Sequence, residues 1–320
     1  MKRAIGLVLL LGLALGQGFP RFFQQYLEQS PDWTRVQVEL SLAERRYRAL
    51  AEDAWAAPLE REEAAEALAR AKIERRRLRL ELWQAALSHY LAPLLAEARV
   101  RAAEAGLTVA EIRAEAARIR YRRGAILALD LKKAEKEVEE ARLRAASARA
   151  DRESARAFLA AYGAAPPETF PELSPPRRLA VKSHVRYRLA ELTLAAARRA
   201  YDLAQGPDTA ELERKRRQEE LEAARKALAE TQRDLEKALA EAERDYREAE
   251  AAVALQTLAQ KTADEQLSAA RARYQKGLIS RLELEAARAR REEARLALLE
   301  ARLRRAKALA GLYSYAEEEP

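Results

Sequence analysis

Residues that could do covalent chemistry are scarce in this chain. There is no cysteine, and the two histidines, His89 and His184, stand alone. Disulfides, thiolate metal sites and a lipidated cysteine are therefore excluded, and lone histidines do not make the ligand cluster that a metal needs. No nucleophile with a base beside it and no phosphate-cradling loop is visible, so no catalytic residue, metal ligand or cofactor is assigned and an enzyme is not expected. The abundant chemistry is charge. Lys and Arg number 59 and Asp and Glu 51, interleaved as in Glu139-Glu140-Ala141-Arg142. Such spacing gives i,i+3 and i,i+4 pairs along solvated helix faces. The net charge of +8 includes Lys2 and Arg3 at the N-terminus. Without a concentrated basic face or stacking aromatics, nucleic acid is not an expected partner.

Charged residues make up 34% of the chain and aromatic residues 6%, with Ala, Leu, Arg and Glu throughout. That composition marks long helices stabilised by one another. They are arranged around a stretch that occurs twice. Ala116, Ala117, Arg118, Arg120, Tyr121, Gly124, Ile126, Leu129, Leu131 and Ala134 recur, at an offset of 153, as Ala269, Ala270, Arg271, Arg273, Tyr274, Gly277, Ile279, Leu282, Leu284 and Ala287. In each copy helical sequence runs into a lone Gly, which ends a helix at little cost because it tolerates positive φ, and helical sequence resumes at once. Each copy reads as the tip of an antiparallel helical hairpin.

The same offset relates Arg35 to Arg188, Arg45-Arg46 to Arg198-Arg199, Glu60-Arg61 to Glu213-Arg214 and Leu82 to Leu235, so the duplication covers nearly the whole chain beyond its first residues. Residues 1–18 read as a signal peptide: Lys2 and Arg3, an apolar run from Ala4 to Leu15, then the small residues Gly16 and Gly18. Export to the periplasm or outer membrane is the consequence, since the apolar run is shorter than the roughly 20 residues of a membrane span. The rest divides into a first helical repeat (19–163), a Pro-rich linker (164–178), a second helical repeat (179–316) and an acidic tail (317–320).

Within the first repeat, Ser30 caps a helix that opens at Pro31 and is expected to reach about Ala57, where Pro58 interrupts it. Longer helices are expected from about Leu59 to Arg123 and on to about Tyr162. The second repeat should be helical from about Val181 to Gln205, Thr209 to Lys276 and Ile279 to Leu312. The longest helices would measure roughly 95 Å, and the shorter pair in each half would stack beside the long one in a four-column rod. After the second tip, Leu282, Ala289, Leu296, Leu303 and Ala310 form one heptad series and Ala287, Ala294, Ala301 and Ala308 another. A helix apolar on both flanks suits a curved wall, an ordinary bundle core being the alternative.

With these tips, the duplication and the signal, the chain resembles the TolC family of outer-membrane efflux proteins. The carrying residues are Ala270 to Tyr274, Gly277-Leu278-Ile279-Ser280, Leu282-Glu283-Leu284 and the Ala/Leu stripe beyond, echoed at the first tip. The resemblance implies an all-α, internally duplicated tunnel protomer of long coiled-coil hairpins. It further implies a homotrimer serving an efflux or type I secretion system and a periplasmic adaptor docked on the tips. Carried across by position, Tyr121, Gly124, Tyr274, Gly277, Leu278 and Ser280 are the docking residues. Asp130 and Glu283 fall where family members narrow the tunnel mouth, an ordinary solvated face being the alternative. Family members also insert barrel strands between the first and the long helix of each half. Such a strand needs about 9 to 11 residues, and the gaps Ala57-Pro58-Leu59 and Gln205 to Thr209 hold none. The mode of outer-membrane association is thus left open. A non-transporting periplasmic coiled-coil structural protein is the alternative function.

Overall fold

The computed structural model describes residues 18–170, 173–206 and 209–317. The signal segment up to residue 17, Pro171-Glu172 of the linker, Pro207-Asp208 and residues 318–320 of the tail lie outside the described residues. Seven α-helices account for most of them: α1 Gly18–Glu28, α2 Pro31–Glu52, α3 Pro58–Arg122, α4 Ala128–Ala161, α5 Val185–Leu203, α6 Glu211–Gln275 and α7 Arg281–Tyr313. No β-strand occurs among the described residues, and the only pairing of extended backbone is an isolated bridge from Leu179 to Ala316. The fold is the all-α hairpin architecture expected. Both α3 and α6 run 65 residues, about 98 Å each at 1.5 Å per residue.

One helix is new and two expectations change. The apolar stretch after the signal is itself a helix, α1, and its Phe19 and Phe22 are among the most deeply buried side chains of the protein. Helix α2 ends at Glu52 rather than near Ala57, and Pro58 begins α3 rather than interrupting a helix. The local bonds show why. Asp53 accepts the Trp55 N–H through its carboxylate (2.9 Å), and Arg61 donates to the carbonyls of Leu50 and Asp53, so the end of α2 is held by side chains. Glu60 accepts from the Ala57 N–H (3.3 Å) at the start of α3, where a proline lacks only a donor that the helix leaves unused. Finally, residues 181–183 form a 3-10 turn and α5 starts at Val185, because the His184 ring accepts the Arg186 N–H through Nδ1 (3.1 Å) and serves as N-cap.

The described chain divides into two compact units. One contains residues up to Phe22, Ala86–Glu172 and Arg247–Ala306, and so holds both hairpin tips. Its first hairpin packs α4 on α3 through a single seam. Val138, Ala141, Ala145, Ala148 and Leu159 of α4 are buried, alternating by three and four residues from Val138 to Ala148, and Val138 and Ala141 meet Ala110 and Ala114 of α3. Beside the seam runs a ladder of ion pairs: Arg118 with Glu135 (3.2 Å), Glu111 with Arg142 (3.8 Å), Glu104 with Arg149 (2.7 Å) and Glu97 with Arg156 (3.1 Å). Each rung lies seven residues from the next on both helices, in opposite directions, as an antiparallel coiled coil requires. The second hairpin is also bridged by ion pairs, among them Asp264 with Arg291 (3.0 Å) and Glu250 with Arg305 (3.5 Å). Helix α7 also packs on α3, where Leu299 joins Leu95 and Ala98, with Leu296, Leu303 and Phe170 against them. An aromatic cluster of Phe19, Phe22, Tyr90, Phe158 and Tyr162 completes this unit, and His89 stacks on Phe158 at 4.3 Å.

The other unit holds Phe23–Ala85, Leu173–Tyr246 and the chain from Lys307. Here Tyr187, Leu235 and Tyr315 form a core with Leu179, Val181, Leu228 and Leu239 packed on it. Arg76 of α3 donates to the carbonyls of Ser183 and Ala316, the Ala180 N–H donates to Tyr315 O (2.9 Å), and the His184 ring lies 4.8 Å from that of Tyr315. Arg199 of α5 pairs with Glu62 and Glu66 of α3.

Candidate docking site at the hairpin tips

Both tips have the same backbone. Gly124 and Gly277 each adopt φ +71°, in the left-handed region where a Cβ is strained, and neither has a neighbour that would obstruct one. At the first tip the N–H groups of Gly124 and Ala125 donate to Tyr121 O (2.8 Å) and Arg120 O (2.9 Å). At the second, Gly277 and Leu278 donate to Tyr274 O and Arg273 O, both at 2.9 Å. This is the Schellman closure, which satisfies the last carbonyls of a helix and turns the chain back.

The return helices start differently. At the second tip Ser280 and Glu283 form a reciprocal cap: Ser280 Oγ accepts the Glu283 N–H (3.2 Å), and Glu283 accepts from the Ser280 N–H (2.7 Å) and hydroxyl (2.8 Å). These bonds favour the carboxylate and hold the Glu283 acid below its ordinary range. At the first tip Leu127 occupies the cap position with no side-chain bond, and Asp130 lies 4.0 Å from Lys133.

The residues singled out in the sequence fall into two groups. Tyr121 and Gly124 lie at the end of α3, and Tyr274, Gly277, Leu278 and Ser280 at the end of α6 and its turn. All of them are exposed, Leu278 at 69%. Asp130 and Glu283 sit in the first turns of α4 and α7. Asp130 and Glu283 are both exposed. The tips lie at the same end of their unit. Arg99 of α3 pairs with Glu300 of α7 (3.0 Å). From that rung α3 needs about 35 Å to reach its tip and α7 needs about 29 Å to reach the other, at 1.5 Å per residue.

Three features go beyond what the sequence suggested. Leu127 and Leu129 are exposed at the first tip, at 72% and 61%. The outer flank of α4 is also open: Leu143 is 71% exposed, whereas Leu296, its counterpart in the second repeat, packs on the Leu95–Leu299 cluster. Helix α6 leaves Leu255 and Leu258 exposed on its side. The signal for the α4 flank was present in the sequence, since Leu129 and Leu143 stand two heptads apart.

No protein-family model matches the chain, and no curated protein matches it. Solved structures do. A membrane protein from Pseudomonas aeruginosa aligns at 15% identity over 93% of this chain and 89% of its own, with a TM-score of 0.63. CusC, described as forming a transmembrane channel, aligns at 14% identity over 95% of this chain and 94% of its own, with a TM-score of 0.62. The outer-membrane protein VceC of Vibrio cholerae aligns at 15% identity over 93% and 95%, with a TM-score of 0.62. At these identities the likeness is one of fold, and the fold is that of the TolC-type outer-membrane channels, all-helical here among the described residues.

Proposed function

We propose that the chain is an outer-membrane-factor-like component of an efflux or type I secretion system. In this reading it is exported, assembles as a homotrimer, forms or extends a helical conduit through the periplasm and docks an adaptor protein on its two tips. Tyr121, Gly124, Tyr274, Gly277, Leu278 and Ser280 form the docking surface, and Asp130 and Glu283 narrow the conduit mouth. The observation that carries the reading is the duplicated hairpin with apolar flanks left open on α4 (Leu129, Leu143) and α6 (Leu255, Leu258). Exposed leucines in heptad register are costly for an isolated coiled coil and are accounted for by α4 of one copy packing on α6 of the next.

The first test is the native mass of the protein lacking residues 1–18, by light scattering without detergent. A trimer is expected. A monomer would overturn the conduit and favour the second reading, a non-transporting coiled-coil spacer, which draws support from the short connections Asp53 to Ala57 and Ala204 to Ala210. In-cell photo-cross-linking from Leu278 then tests adaptor docking, and Gly277→Val with Ser280→Ala should abolish the cross-link while a spacer function would persist.

A further inference from the structure

The duplication lets the tips be compared residue by residue on an identical backbone. Their side chains diverge chiefly in one direction. Arg122, Lys132 and Lys133 stand where the second tip has Gln275, Glu285 and Ala286. Against these, Arg123 is matched by Lys276, and Ala128 against Arg281 runs the other way. Along the body of the first hairpin arginines and glutamates are matched rung by rung, down to Arg118 with Glu135. Beyond that rung the matching stops. Arg120, Arg122, Arg123 and Lys132 are exposed and form no ion pair with the described residues, and Asp130 is the one carboxylate among them.

Uncompensated cations held together on a fixed turn repel one another, and an anionic surface docked on them relieves the repulsion. We propose that the partner docking on the tips is a protein with an acidic surface, and that this surface bears mainly on the first tip. The inference rests on the docking role proposed above and specifies the chemistry of the partner. A protein is favoured over an anionic bilayer by the form of the site. Neither tip carries a Trp or Phe, the exposed leucines are few, and both turns are locked by backbone bonds. Interfacial binding to lipid depends on a broad apolar face that these turns do not offer.

The test uses the chain lacking residues 1–18 and two synthetic antiparallel helical hairpins that differ only in a Glu-rich or Gln-rich tip, with phosphatidylglycerol vesicles as the third probe. The Glu-tipped hairpin should bind about ten-fold tighter than the Gln-tipped one at about 50 mM NaCl and lose that advantage at about 300 mM, as screening requires. The triple variant R122Q/K132Q/K133Q should lose most of the preference, and R273Q/K276Q/R281Q much less. Equal losses in the two variants would overturn the assignment to the first tip. Equal, salt-independent affinity for the two hairpins would overturn the acidic partner while leaving docking intact. Binding to vesicles without preference between hairpins would make the surface a membrane contact, and binding to neither hairpin would overturn the docking role with it.

Discussion

At the scale of single residues, the two tips owe their shape to backbone chemistry. Gly124 and Gly277 have open space where a Cβ would go, so substitution acts through φ alone. Gly277→Ala should cost about 1 to 2 kcal/mol, the penalty of the left-handed conformation, and Gly124→Ala the same, both read from thermal melting. The caps predict an asymmetry. Ser280→Ala removes the acceptor for the Glu283 N–H and should cost about 1 kcal/mol, whereas Leu127→Ser at the uncapped first tip should gain a comparable amount. His184 supplies a pH dependence. Burial first, then the guanidiniums of Arg186 and Arg76, hold its pKa below the ordinary value, and Nδ1 can accept the Arg186 N–H only while unprotonated. Tyr315, with Glu241 acting on it electrostatically, faces it from the far end of the chain. The neutral ring is favoured in the folded state. Its contribution is therefore complete above the unfolded value of about 6.5 and is lost as pH falls from there through the lower folded pKa. Melting temperature should drop between pH 7.5 and 5, and His184→Asn, which keeps a cap acceptor, should remove much of the drop. His89→Gln is the control, since burial lowers His89 as well.

Elements show which signals were legible. The tips could be read because Gly punctuates an otherwise helical pattern, and the α4 seam because Ala134, Ala141, Ala148 and Ala155 repeat every seven residues. Helix α1 was hidden, since Phe19 to Tyr26 is too short and too aromatic to show a helical period and is ordered by Tyr90 and Tyr162 far along the chain. The ion ladder was hidden for a different reason: each Arg also has a Glu at helical spacing on its own helix (Glu115, Glu139 or Glu153), and only the pairing of α3 with α4 selects the partner across the hairpin. Rungs exposed on both sides contribute little stability, roughly 0.2 to 1 kcal/mol each, so the ladder chiefly sets register. Packing along the seam contributes more. Ala145 is 1% exposed, and Ala145→Leu should destabilise the first hairpin by about 1 to 3 kcal/mol through overpacking. A melting temperature unchanged by that substitution would mean that α4 and α3 are not in close contact there.

For the molecule as a whole, the duplication turns one question about assembly into a controlled comparison. Leu143 and Leu296 occupy the same place in the two repeats, yet only Leu296 is covered by its own chain. If Leu143 lies open because a second copy covers it, the two positions must answer the same substitution in opposite ways. Leu296→Gln removes apolar contacts within the protomer and should lower stability by about 1 to 3 kcal/mol while leaving any oligomer that still folds intact. Leu143→Gln removes little from the protomer, so far-UV circular dichroism should be unchanged, but the proposed trimer should dissociate toward monomers in sedimentation velocity. A Leu143→Cys and Leu258→Cys pair should then form a disulfide between copies in the parent background, since those leucines are placed on the two open flanks. A Leu143→Gln protein that stays trimeric would show that the copies meet elsewhere, and the flank of α4 would need another occupant.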